Sequence, residues 1–354
     1  MLFRSAVFVS GLLLSVVAWL ATRGDATDAP KAVPAATDWT GAVLLAAVIL
    51  ALVLGTIQVN SSGLGSLPTL ALFGAAAVGA AGLVLSERRS SSPALDLSLF
   101  RSAEFSAMLG LLFVVFFAIG VYFFFITIYL QRALHMSPLR AAAGLIPVSV
   151  FTIILSARIG RAGDRTSHHA LVVVGLLAFT SGLLLTIPGV RALTYVALVP
   201  AIVALGVGLA LFRTPLLSLV NRAAPDHQAG ARNASAELIG RLGGVMGVAI
   251  GVTIFLSVST ADLNTKLPAA GLEYHFTAAK LRSMWDHPDP VEQKYHSLAP
   301  PTREHVRTIV KDTATDALAT TLYLCAALVG GVGLVLIGVA ARRSRASSPS
   351  ARLG

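Results

Sequence analysis

Long uncharged apolar runs, separated by short polar segments, are the feature that most restricts what this chain of 354 residues can fold into. The sequence is 55% hydrophobic and only 12% charged, and the charges are gathered between the runs. A helix of about 20 apolar residues crosses the hydrocarbon core of a bilayer. A backbone in lipid must pair its polar groups within helices or closed barrels. Because the runs are continuous and do not alternate with polar residues, they predict an all-α polytopic membrane protein.

Nine membrane spans are predicted, separated by segments rich in Gly, Pro, Ser and charge, the residues that end helices. The predicted spans are 3–21, 40–59, 67–86, 105–130, 138–156, 170–189, 194–217, 236–258 and 318–341. The predicted organisation is a single span at 1–21, a linker at 22–37, two spans within 38–87, a linker at 88–104, a six-helix bundle at 105–341 containing a long loop at 259–317, and a basic tail at 342–354.

The distribution of Lys and Arg predicts the orientation, because basic residues in short loops are retained on the cytoplasmic side. One set of alternate segments carries fourteen Lys and Arg and the other carries four, when the long loop is left out. The segment 157–169, ARIGRAGDRTSHH, is therefore a cytoplasmic loop, and the C-terminal tail is cytoplasmic as well. The N-terminus and the long loop are predicted to face outside the cell membrane.

An alternative for residues 1–21 is a cleaved signal peptide, with Arg4 as its charged start. A signal peptide would place the following linker outside and invert every later loop. The basic bias would then contradict the usual distribution of charge, which favours the first interpretation.

Three charged residues within or close to spans are candidates for function, since an ionisable group in a membrane is costly and tends to be functional. Arg213 lies about two turns inside its span, where it either reaches the interface or lines a cavity. Glu237 and Arg241 lie four residues apart near the start of the next span, which is the spacing of a helix-stabilising ion pair. No Asp, Glu or His lies deep inside a predicted span, so the sequence offers no proton carrier of its own.

Gly243, Gly247 and Gly251 recur every four residues and therefore share one helix face. Small residues on one face let two membrane helices approach closely. This spacing predicts a packing surface for a neighbouring helix.

Other classes of function find little support in the sequence. There is no phosphate-binding loop, nucleophile elbow or metalloprotease motif, so an enzyme is not expected, and no cofactor or metal site is predicted. The histidines of the long loop lack the spacing of a metal site. The net charge of +10 is spread over many loops, which does not favour nucleic-acid binding.

Several short motifs, in order along the chain, resemble the fourteen-span drug:proton antiporters of the major facilitator superfamily. They are the DWTG at 38–41, PALDLSLFR at 93–101, YLQ at 129–131, SPLRAAAG at 137–144, the Gly160–His169 loop and the segment from Asn233 to Gly247. The resemblance implies a transporter of small lipophilic or amphiphilic molecules, coupled to protons, that works by alternating access between two six-helix halves.

The family's cytoplasmic loop carries Gly-x-x-x-Asp-Arg-x-Gly-Arg-Arg and helps latch the two halves together. By this resemblance Gly160, Asp164 and Arg165 form a gating loop. Ser167 replaces the second glycine and histidines replace the basic pair, so this latch departs from the family's pattern. The alternative is a basic loop that only fixes topology.

By the same resemblance, the first span corresponds to the family's sixth, and the half that usually bears the proton-coupling acids is missing. The chain is therefore expected to be the C-terminal portion of an exporter, with its other spans in a longer protein or in a partner chain. The alternative is a non-transporting remnant or an accessory subunit that packs on a partner.

The candidate substrate path combines aromatic and polar residues of the 105–130 span with the charged residues described above. Its members are Tyr122, Phe125, Tyr129, Gln131, Arg213, Glu237 and Arg241. The aromatic faces favour lipophilic or cationic molecules, whereas Arg213 favours acidic or neutral ones. The sequence leaves that conflict open, and plain packing of the aromatic residues is the alternative.

Overall fold

The structure is a computed structural model that describes residues 39–62, 65–87, 102–162, 167–222, 229–269, 276–278, 281 and 300–339. The predicted span 3–21, the linker 22–37, most of the linker 88–104 and the tail 342–354 lie outside the described residues.

The described chain is all-helical. Its helices are α1 (Trp39–Ser62), α2 (Leu67–Glu87), α3 (Ala103–Arg132), α4 (Pro138–Ala162), α5 (His168–Arg191), α6 (Tyr195–Arg222), α7 (Ala229–Ala269) and α8 (Pro300–Ala327). A π-helical turn at Leu328–Val332 continues α8, and helix resumes to residue 339. Within these ranges, seven helices are long and apolar enough to cross a membrane. The exception is α1, whose apolar part, Val43–Val59, is shorter.

Each predicted span that falls in the described ranges lies on a helix. The ends differ most around the predicted loop 259–317, because α7 continues to Ala269 and α8 begins at Pro300. Both extensions are rich in Thr, Lys, Arg and Asp with few helix breakers, so the helices run on where the apolar run stops. At about 1.5 Å per residue, the 41 residues of α7 reach about twice the thickness of a hydrocarbon core of about 30 Å.

Local signals set the ends of α3. The hydroxyl of Ser102 accepts a hydrogen bond from the amide of Phe105 at 3.3 Å and caps the first turn. At the other end, His135 has a φ of 52°, and the amide of Met136 donates to the carbonyl of Leu130 at 3.0 Å. A left-handed residue after the last turn, followed by an amide that donates back to a carbonyl of the helix, is a common way to stop a helix.

Close glycine contacts hold the antiparallel pair α5–α6 together along its length. A Cβ at Gly175 would lie 2.6 Å from the amide nitrogen of Phe212, and one at Gly182 would lie 2.9 Å from that of Leu205. Real Cβ atoms do not approach a backbone so closely. These positions therefore admit only glycine without a shift of one helix.

The alternating direction of consecutive helices defines two ends of the bundle from α3 to α8. The end where α4 leads into α5 and α6 leads into α7 is called the basic end. The end where α5 leads into α6 is called the opposite end. The basic end corresponds to the predicted cytoplasmic loop.

An ionic cluster joins three helices at the opposite end, and we call it the Asp262 network. Lys266 Nζ lies 2.5 Å from Asp262 Oδ2 and 3.8 Å from Asp316 Oδ2. Arg191 Nη2 lies 3.4 Å from Asp316 Oδ1, and the Thr313 hydroxyl donates to Asp262 Oδ2 at 3.3 Å. The network thus connects the last residue of α5 with α7 and α8.

Replacing Lys266 by alanine should lower stability modestly, because it removes the cation between two carboxylates in a network that is partly exposed. Exposed ion pairs contribute about 1 kcal/mol or less. Labelling of Cys325, the single cysteine and a buried one, by a thiol-reactive dye during heating measures the unfolding midpoint of the solubilised protein. The matched control is Lys311→Ala on the exposed surface of α8. Equal midpoints for the two variants would contradict a stabilising role for the network.

Candidate functional site

The aromatic residues predicted to line a substrate path lie inside the bundle. Tyr122, Phe125 and Tyr129 are 2%, 4% and 7% exposed, and they belong to the main hydrophobic core. The ring of Phe125 packs against that of Phe255 on α7, with centroids 5.0 Å apart. Gln131, two residues beyond Tyr129, is half-buried. In the described part of the chain, these three aromatic side chains join helices and present little surface to a ligand.

The tyrosine hydroxyl groups have different surroundings. Tyr129 Oη donates to the carbonyl oxygen of Val190 at 2.9 Å and thereby connects α3 to α5. Tyr122 Oη is buried, and no group of the described chain meets hydrogen-bond geometry with it. The hydroxyl of Thr186 lies close enough to interact with Tyr122, but it donates its proton to the carbonyl of Gly182 at 2.8 Å.

The three glycines of α7 lie directly against α3. A Cβ at Gly243 would lie 2.5 Å from the carbonyl oxygen of Phe113, and one at Gly247 would overlap the carbonyl oxygen of Phe117. At Gly251 the neighbour is Val121 Cγ2, at 3.0 Å. The two helices run parallel with their backbones in contact, which is possible only because these positions lack side chains.

The face of α7 that points away from α3 carries an exposed stripe that is polar at three of its four positions. Asn233, Glu237, Arg241 and Val245 are exposed and follow one another every four residues. Arg241 Nε donates to Glu237 Oε1 at 2.8 Å, and the two side chains are 77% and 59% exposed. Both residues lie within the apolar span Ser235–Pro268. An exposed ion pair inside a membrane span is expensive unless it faces protein or water.

Arg213 is the exposed residue in the central part of α6. From 201 to 220, every other residue of this helix is buried or half-buried. Thr214, the next residue, is half-buried, and the half-buried Ser218 donates to its carbonyl oxygen at 3.2 Å. No ion pair links Arg213 to a residue of the described chain.

Contacts between helices show which residues share a height in the bundle. Gly175 of α5 lies against Phe212 of α6, as described above. The next residue of α5, Leu176, contacts Gly333 beyond the π-helical turn, and Gly333 also contacts Leu111 of α3, each at 3.4 Å from an added Cβ. Residues 212, 176, 333 and 111 therefore lie at one level.

The same level extends to α7, because Gly243 packs against Phe113, two residues after Leu111. Arg213 and Arg241 therefore lie within about one helical turn of each other along the membrane normal, with Glu237 one turn nearer the basic end. We call Arg213, Glu237 and Arg241 the charged layer. It lies about 12 to 18 Å from the basic ends of α6 and α7 at 1.5 Å per residue.

The predicted gating loop is described only at its edge. Gly160 belongs to the last turn of α4, and Asp164 and Arg165 lie outside the described residues. Among the described residues, no group of three His, Cys, Asp or Glu side chains is placed to hold a metal ion.

Sequence reasoning missed the Asp262 network, because residues 259–317 were interpreted as one long loop. The i,i+4 spacing of Asp262 and Lys266 was the available signal of a helix that continues past the apolar run. The partners on α5 and α8 lie 50 or more residues away from them in sequence, so only the fold reveals them.

A comparison with protein-family models decides the family. Residues 2–248, more than half of the chain, match the model of the Major Facilitator Superfamily. The chain belongs to the Major Facilitator Superfamily. The predicted resemblance is thereby confirmed, and the match to this superfamily extends from the N-terminal region to the residue after Gly247 of α7.

Several bacterial members of the superfamily are similar to this chain. The multidrug resistance protein Stp of Mycobacterium tuberculosis is 31% identical over 264 residues, which cover 74% of this chain and 45% of Stp. The tetracenomycin C resistance and export protein of Streptomyces glaucescens is 30% identical over 253 residues, 69% of this chain and 46% of that protein. A tetracycline resistance determinant of Streptomyces rimosus is 31% identical over 238 residues, 64% of this chain and 66% of that protein. The chain spans about half the length of the first two relatives.

Proposed function

We propose that this chain forms one half of a membrane transporter that exports small lipophilic or amphiphilic molecules. Membership of the superfamily and seven apolar helices in the described residues support transport across a membrane. The names of the relatives, which refer to multidrug resistance, antibiotic resistance and export, support a drug-like substrate.

The charged layer is the single structural observation that carries the proposal beyond family membership. Charged residues exposed inside membrane spans are expected to face a substrate path or a partner protein. In our proposal the exposed faces of α6 and α7 at this layer form one wall of a path between two halves that rock to alternate access. The other half lies in additional spans of the same protein or in a partner chain.

The full arrangement we propose has nine spans in this chain, with the first at 3–21. Its basic end and C-terminal tail face the cytoplasm, in line with the bias of Lys and Arg. Gly160, Asp164 and Arg165 act as the cytoplasmic latch, and transport is coupled to protons that move through acidic residues outside the described spans.

Deletion of the gene is expected to raise the steady-state accumulation of a fluorescent drug-like dye in cells several-fold. The reason is that passive entry continues while export is lost. Cells are loaded with fluorescein or ethidium and followed by fluorescence, in the deletion strain and in a complemented strain.

A protonophore provides the control for energy coupling. It should abolish the difference between the two strains without changing the abundance of the protein. Equal accumulation of both dyes in deletion and complemented cells, with the protein present in the membrane, would contradict export as the function.

A further inference from the structure

We infer that Arg213 binds the acidic group of the transported molecule, so that the substrates of this chain are anionic amphiphiles. The inference rests on the proposed function, since it assigns the charge of the substrate for the same path. Sequence reasoning leaves two opposing signals, aromatic residues that favour cations and an arginine that favours anions. In the structure the aromatic residues are buried, whereas Arg213 is exposed.

The aromatic signal for cations is weakened by burial. A cation binds an aromatic ring by lying over its face within about 6 Å of the centroid. Tyr122, Phe125 and Tyr129 are packed between helices and are less than a tenth exposed. The ring of Phe125 packs against those of Phe124 and Phe255, at centroid distances of 5.2 and 5.0 Å. These three rings therefore present little surface to a ligand within the described bundle.

Arg213, in contrast, extends from a helix that presents no lipid-facing apolar stripe around it. The neighbouring helices have such stripes, with exposed Ile146, Ile153 and Ile154 on α4 and exposed Val174 and Leu177 on α5. Over residues 201–220 of α6, Arg213 alone is exposed. A side chain that only reaches the membrane surface does not require neighbouring helices to cover the residues around it, whereas a group that binds a ligand between helices does.

The charges around Arg213 are uncompensated. Glu237 and Arg241 neutralise each other through their 2.8 Å contact, so the charged layer keeps one net positive charge. Arg158, exposed on α4, lies at a height similar to that of Arg213, because Thr152 of α4 contacts Gly206 of α6 at 3.2 Å and the two helices run in parallel. Within the described chain, neither Arg158 nor Arg213 makes an ion pair.

The chemistry of guanidinium fits this role. Its planar fork of N–H donors pairs with both oxygens of a carboxylate. In a medium of lower dielectric constant than water, attraction to an anion and repulsion of a cation both become stronger. Thr214, next to Arg213 in the chain and half-buried, adds a hydroxyl group for a neutral oxygen atom of the same ligand, whereas the Ser218 hydroxyl donates to the carbonyl of Thr214 at 3.2 Å.

The test compares two dyes of opposite charge, fluorescein and ethidium, in Arg213→Gln, Arg213→Lys and the parent protein. We expect Arg213→Gln to lower fluorescein export relative to ethidium export about tenfold, the factor that corresponds to a loss of about 1.4 kcal/mol in binding. Arg213→Lys should retain part of the preference, since it keeps the charge and loses the fork. Arg222→Gln, an exposed position at the basic end of α6, is the control and should leave the ratio unchanged.

Binding to the purified protein supplies a second measurement that does not depend on transport. The fluorescence anisotropy of fluorescein titrated with the protein should show a Kd that rises about tenfold in Arg213→Gln. A merely structural arginine would reduce the export of both dyes together through lower abundance and leave their ratio constant, which would overturn the inference. Export of ethidium without fluorescein by the parent protein would also overturn it while supporting the proposed function. Export of neither dye would instead contradict the proposed function.

Discussion

A single added methyl group at Gly247 is expected to destabilise the bundle strongly. A Cβ at this position would overlap the carbonyl oxygen of Phe117 and lie 2.9 Å from its Cα. Both atoms belong to the backbone of α3, which cannot move aside without shifting the whole helix. Overpacking of this kind costs about 1 to 3 kcal/mol, so Gly247→Ala should unfold at a temperature several degrees lower than the parent protein. Dye labelling of the buried Cys325 thiol during heating measures the midpoint.

The matched control lies three residues away on the same helix. A Cβ at Gly244 would have Phe116 O at 3.7 Å as its nearest neighbour, an ordinary contact. Alanine also favours helix over glycine by about 1 kcal/mol, so Gly244→Ala should be neutral or slightly stabilising. If both variants lowered the midpoint equally, close approach of α3 and α7 at Gly247 would not explain the loss.

Replacing Arg241 by alanine is expected to reduce export about tenfold, equivalent to about 1.4 kcal/mol, while most of the protein remains in the membrane. The substitution removes the cation that lies 2.8 Å from Glu237 and leaves a carboxylate alone inside an apolar span. A carboxylate without its partner there either takes up a proton or attracts water. In both cases the electrostatic potential at the charged layer changes. Dye efflux from cells, normalised to the amount of protein on a membrane blot, measures the effect.

Two further variants separate the ion pair from its individual charges. The double variant Glu237→Ala and Arg241→Ala should export better than Arg241→Ala alone, because no unpaired carboxylate remains. The exchange of the two residues, Glu237→Arg with Arg241→Glu, keeps the pair and the net charge of the layer. Unchanged export by Arg241→Ala at parental abundance would exclude a role for the pair in the path.

The helical architecture was predictable from the sequence because apolar continuity is a local property. The span predicted at 105–130 and the helix Ala103–Arg132 nearly coincide, since Ser102 caps one end and polar residues follow the other. The ends of α7 and α8 were less predictable. Once a helix leaves the apolar run, its continuation depends on contacts such as that between Asp262 and Thr313, which join residues far apart in the chain.

The sequence predicts which residues belong to the candidate site much better than it predicts where they lie relative to one another. The cost of charge in a membrane identifies Arg213, Glu237 and Arg241 without a structure, and their common level follows only from the packing at Gly175, Gly243 and Gly333. Tyr122 and Phe125 illustrate the opposite case. An aromatic residue in a membrane helix is compatible with both a core and a cavity, and only its neighbours distinguish the two.

The Asp262 network fixes one point of α8 and leaves a long stretch of helix extending beyond it. Asp316 is held at the level where α5 ends, at Arg191, and sixteen residues of helix continue from there to Pro300, a length of about 24 Å. A rocking rotation on the order of 10°, of the kind that packed subunits make, would displace the far end of this arm by about 4 Å. A small tilt of the helices would thus displace the end of α8 near Pro300 by about the distance of one atom-to-atom contact. Antibodies, proteases or spectroscopic labels directed at this end would report the motion.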